Sequence, residues 1–254
     1  MRSTRIKKFV TTDYLAAQQE YDRNGVCLDQ TLYQLCKDHP CHCNPSWVYA
    51  KTFIVGRTYA SGIERKVPRG TGQGSSMSKV AELIYDKRVE VDSMLARLPV
   101  ADEPLSPAAL KVIAEVHRDF VELLEGITMD RESPRAFASK YMHCHRQLVP
   151  VLDGMADAAL GSLVRWKNDL WASAGLPGPT DRNDEYRAFL ARFFSLYKYW
   201  ESRISGLSVG RLDAYLIWVE NQNQAAKDEE GRRAQDKRAT MLEANNNPRP
   251  ITTP

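Results

Sequence analysis

From Thr11 to Gln224 the apolar residues of this chain recur three and four positions apart, and almost nowhere two apart. That spacing gathers them on one face of a helix and gives an extended strand no apolar side, so it restricts the chain to helices packed on helices. The stripe Val80, Leu83, Ile84, Val91, Met94 and Leu95 predicts one amphipathic helix over 77–98. Ser106-Pro107 and Ser133-Pro134 each place a capping residue before a proline, a helix-start signal, and predict helices running to Leu124 and His145. Further helices are predicted over 14–21, 29–37, from 46 past Glu64, from 153 to about 174, from 184 to about 204, and from 208 to about 224. The expected fold is all-α: a compact domain of about eight to ten helices around a central buried one.

Composition narrows what such a domain does. The chain has 254 residues, 26% charged and 43% hydrophobic, which suits one globular domain over 1–225. Residues 226–254 turn charged and then Asn- and Pro-rich, and predict a partly disordered tail. A net charge of +3 does not announce nucleic acid, so any basic footprint must be local. Five cysteines are an odd count, and no leader-like apolar segment opens the chain, which predicts a cytoplasmic protein. No apolar run approaches the roughly 20 residues of a membrane span, and a monomer without a membrane partner is expected.

Four stretches carry candidate chemistry. CKDHPCHCNP supplies Cys36, His39, Cys41, His42 and Cys43, with Cys27 nearby. Structural zinc sites draw paired ligands from two places in the chain, and no second pair lies downstream, so no metal is expected. GTGQGSSMSK, 70–79, sets glycines before a helix start but lacks the phosphate-loop order GxxxxGK[ST] and follows no strand. In FIVGRTYASGIERK, 53–66, Arg57 and Glu64 are spaced either for an ion pair or for Arg57 and Tyr59 to line a pocket beside the small residues Gly56, Ala60 and Gly62.

The fourth, SKYMHCHRQLVPVLDGMADAAL, spans 139–160. A helix carrying Lys140, Tyr141, His143 and His145 gives way to Val149-Pro150-Val151-Leu152, which is too apolar for an exposed loop. Asp153 then opens the next helix. An acid there is stabilised as its anion by the free N–H groups of the first turn. It is either a cap alone or a rigidly held carboxylate beside a cavity.

QLVPVLDGMADAAL resembles the helix-hairpin-helix DNA glycosylase superfamily, in which a helix leads through a V-P-V-D-like connection to a catalytic aspartate. SKYMHCH…VPVLD is also similar to a pattern of bacterial all-helical proteins. The glycine-rich hairpin of the superfamily is replaced here by GITMDRESPR, 126–135. The resemblance implies an enzyme without cofactor that flips a damaged or modified DNA base into a pocket and cleaves its N-glycosidic bond. Asp153 would stabilise the oxocarbenium-like state, and Lys140 would attack the sugar carbon if it is suitably placed. Arg57, Tyr59, Tyr141, His143 and Trp166 would form the base pocket. Lys51, Arg65, Lys66 and Arg69 would meet DNA phosphates. The same fold without the chemistry would be a helical nucleic-acid-binding module.

Overall fold

The computed structural model describes residues 6, 10–24, 26–59, 61–68, 75–100, 104–129, 133–165, 169–178 and 184–246; at 26, 27, 169, 184 and 240–246 it describes the backbone alone. Trp166, Arg69 and most of the glycine loop lie outside the described residues, as do the last eight positions. Among the described residues the secondary structure is helical, with a single isolated antiparallel bridge between Ile6 and Val164. The helices are α1 (Thr11–Asn24), α2 (Val26–Asp38), α3 (Pro45–Phe53), α4 (Ile63–Lys66), α5 (Ser76–Asp86), α6 (Arg88–Arg97), α7 (Pro107–Glu125), α8 (Arg135–His145), α9 (Gly154–Leu163), α10 (Asp169–Ser173), α11 (Asp184–Glu201) and α12 (Val209–Asn246).

The twelve helices among the described residues exceed the expected number because three predicted segments are broken. The 77–98 segment divides at Lys87, whose φ of −94° and ψ of 18° leave the helical region while the apolar stripe continues across the bend. The segment from Asp153 divides after Leu163, where Val164 turns extended. The helix from Pro45 passes into a π-helical turn at Ile54–Thr58, and α4 restarts only after Gly62, which sits left-handed at φ 73°. In the other direction, α12 runs unbroken to Asn246, although its side chains from Gln224 to Ala239 are exposed.

Local chemistry explains the helix starts. Asn44, Ser75 and Ser106 each accept a hydrogen bond from a first-turn N–H of α3, α5 and α7, and Pro45 and Pro107 follow at positions that need no donor. At α8 the signal works differently: Pro134 itself occupies the capping position, and Ser133 offers its carbonyl to Lys66 Nζ at 2.7 Å.

Helix α8 is the central element. Phe137 through Cys144 are all buried, enclosed by α2, α7 and the π turn, so the polar Ser139, Lys140 and His143 among them need internal partners. Helix α12 packs on α9 and α1, α3 on α5, and α6 on α7. The connection from α8 to α9 runs through this core, so its backbone groups need internal partners. They have them: Val149 O takes His143 Nδ1–H at 2.7 Å, Pro150 O takes the Tyr186 hydroxyl at 2.8 Å, and Leu152 N–H reaches Ser139 Oγ at 3.0 Å. Asp153 is thereby delivered to a fixed point with little freedom of its own.

No described helix is long and apolar enough to cross a membrane.

Candidate active site

Asp153 is both a cap and something more. Its Oδ1 accepts from Met155 N–H at 2.9 Å, closing the first turn of α9. Its Oδ2 faces Lys140 Nζ at 2.6 Å. Lys140 is 6% exposed and Asp153 25% exposed at the side chain, so the pair is shielded but open on the carboxylate's side. Lys140 Nζ also donates to Tyr59 O at 2.6 Å. That carbonyl is available because the π turn ends at Tyr59 and no helical N–H claims it. Interruptions of this kind recur at functional sites.

The pair lies in a cavity of about 470 Å³ between α1, α2, α8, α9 and α12, a size suited to a small-molecule group. Tyr21, Tyr33, Tyr59 and Trp218 give it aromatic walls, and Leu28, Met155 and Ile217 add apolar surface. Asp29 anchors one wall: Oδ2 accepts from the Tyr21 hydroxyl at 2.5 Å, and Oδ1 accepts from the Tyr59 hydroxyl. Burial, together with the Asp29 carboxylate, pushes both phenols above their usual range and keeps them as donors.

His143 closes the inner end. Burial holds its imidazole below the ordinary histidine range, against the opposing pull of the Val149 carbonyl. A neutral ring donating Nδ1–H to Val149 O must accept at Nε2, so the Tyr33 hydroxyl, 2.6 Å away, is the donor there. Burial also drives the Tyr33 phenol upward, which keeps that proton on oxygen.

Asp213 enters from α12. Its Oδ1 is shielded from solvent without a hydrogen-bond partner. Burial first, and the carboxylates of Asp153 and Asp29 after it, push its carboxyl up to about 8, while Lys140 pulls the other way. A carboxyl so placed is largely protonated at neutral pH.

The structure thus brings Asp153, Lys140, Tyr59 and His143 to one cavity. Tyr141 is elsewhere. It is fully buried in the core, and its hydroxyl lies 2.7 Å from His42 Nε2, while His42 Nδ1 meets Asp92 Oδ1 at 2.6 Å. Tyr141→Phe is expected to strand that buried acceptor and cost about 1–3 kcal/mol in urea unfolding, with the chemistry of the cavity unchanged. Arg57 is exposed, paired with Glu64 at 2.7 Å and leaning on Phe53, and does not line the cavity. Lys51 is completely buried and donates to His39 O, so it cannot reach a phosphate. Arg65 is exposed, and Lys66 is half-buried on Ser133 O.

The cysteine and histidine stretch is dispersed. Cys41 and Cys43 are joined as a disulfide, Cys36 is buried, His39 stacks on Trp47, and His42 serves the Tyr141 network. Among the described residues no group of three side chains converges as a metal site.

Sequence reasoning passed over Tyr21, Asp29, Tyr33 and Asp213. One signal was present. Asp213 follows Leu212 and borders the apolar stripe of α12, and an acid at the edge of a core-facing stripe is expensive to bury without a purpose.

No family model matches this chain, and neither a curated protein nor a solved structure matches it.

Proposed function

We propose that the protein is a base-excising enzyme of the DNA glycosylase kind. The observation that carries this reading is the Asp153–Lys140 pair at the floor of an aromatic-walled cavity. A base turned out of the duplex would stack against Trp218 and the tyrosines, an arrangement worth about 1–3 kcal/mol per base. The carboxylate of Asp153, held by its helix N-terminus and by Lys140, would face the sugar as positive charge develops on it. Lys140 donates to both a carboxylate and a carbonyl, so in this arrangement it is a charged counter-ion and not a free amine nucleophile. The expected product is therefore a free base and an intact abasic strand.

The test is release of free base from duplexes carrying a panel of damaged and modified bases. Wild type should release at least one, without strand cleavage until alkali is added. Asp153→Asn should lose about 10²–10³-fold in rate, the usual loss for one electrostatic group, while retaining its cap, since Asn caps nearly as well. Release unaffected by Asp153→Asn would remove the assignment. Salt-sensitive binding with no release from any duplex would favour the helical binding module instead.

A second substrate class is favoured by the cavity's charge. Glu20, Asp29 and Asp153 face it against Lys140, a balance that repels phosphate. The same bond cleavage on a free nucleoside fits that lining, so nucleosides belong in the panel beside the duplexes.

A further inference from the structure

Helix α12 contributes an acid that the reading above does not use. Asp213 stands in the cavity wall among Glu20, Tyr21, Asp29, Tyr59, Lys140 and Asp153, which come from α1, α2, the end of the π turn, α8 and the cap of α9. The neighbouring Asp29 and Asp153 have settled partners: Asp29 takes two phenols, and Asp153 takes Lys140 and a backbone N–H. Asp213 Oδ1 has none, although it is shielded from water. An unmatched buried oxygen in a cavity wall costs stability unless something binds there. Arg211, on the same helix, is directed away and bonds Gln18 Oε1 at 2.9 Å.

Resting on the base-excision reading, we propose that Asp213 acts as a carboxylic acid and protonates the leaving base. As the C1′–N bond breaks, its electron pair passes to the base nitrogen, and that nitrogen takes the proton of Asp213. Water then adds to C1′ of the cation held by Asp153 and gives its proton to the Asp213 carboxylate, restoring the acid. The balance is one water consumed, one hydroxyl on the sugar and one N–H on the base. The raised carboxyl of Asp213, protonated through neutrality, supports this role. The arrangement divides the work by environment: Asp153 is paired with Lys140, and Asp213, in the field of its carboxylate, keeps its proton.

The role selects a substrate class. A neutral base leaves as an anion unless it is protonated, whereas a base already cationic from ring alkylation leaves neutral. Asp213→Asn should therefore slow release of a neutral base by about 10²–10⁴-fold and release of 7-methylguanine by less than about threefold, while Asp153→Asn slows both. Carboxyl-carbon NMR of the folded protein gives a readout independent of turnover. One aspartate resonance should titrate far above the others and be absent from Asp213→Asn. Equal losses on the two bases, or titration of Asp213 in the ordinary carboxylate range, would overturn the proton-donor role while leaving Asp153's role standing. Absence of any release by wild type would remove the base-excision reading itself, and the role of Asp213 with it.

Discussion

Lys140→Met is expected to lower the unfolding free energy by about 3 kcal/mol at pH 8, near the lower end for breaking a buried ion pair. The lower end applies because Asp153 keeps a quarter of its side-chain surface in water and retains the Met155 N–H. The loss arises because the Lys140 ammonium is gone from a cavity lined by Asp29 and Asp153. It should shrink as the solution is acidified. Acid neutralises the carboxylate left without its partner, and an unpaired carboxylic acid costs less to bury than an unpaired carboxylate. Urea unfolding at several pH values, with an unchanged m value, measures it. Lys140→Met combined with Asp153→Asn should cost less than the sum of the two, because the second change removes the charge that the first exposed.

The second large effect concerns pH in the wild-type protein. Asp213 has a folded-state value of about 8 against an ordinary 3.8, so its contribution is fully present below about 4 and is lost as pH rises to about 8. The slope approaches 1.4 kcal/mol per pH unit while the two states differ by one proton. His42, His143 and His145 act in the opposite sense. Burial lowers all three, so their contribution is present above the ordinary histidine value and is lost as pH falls. The wild-type curve is the sum of both trends. Subtracting it from the Asp213→Asn curve cancels the histidines and should leave a line rising with pH in favour of the variant between about 4 and 8. A flat difference would mean that Asp213 is ionised in the folded protein.

The parts of this fold that could be read from the chain are those in which a residue's own chemistry decides the outcome. Ser106-Pro107 starts α7 because serine caps and proline needs no donor there, and Gly126 follows its last turn. The apolar Val149-Pro150-Val151-Leu152 run pointed inward, and it is buried. The parts that could not be read depend on partners distant in sequence. Lys51 looks like any surface lysine until α3 folds it beneath His39. Tyr141 and His143 sit two apart on one helix, yet one turns to His42 and the other to Tyr33. Asp29 becomes a wall of the cavity only because Tyr21 and Tyr59 arrive from two other segments. The Lys87 break leaves no trace in the stripe, since the apolar residues of α5 and α6 keep their spacing across it.

The π turn at Ile54–Thr58 makes this region sensitive to insertion and deletion in a way ordinary substitutions do not reveal. A π turn is a helix with one residue too many for the regular ladder. Losing any one codon there would let the ladder close, and everything downstream would swing about 100° around the axis. Tyr59 would then take its carbonyl from Lys140 and its phenol from Asp29 in a single step, although no side chain in the cavity had changed.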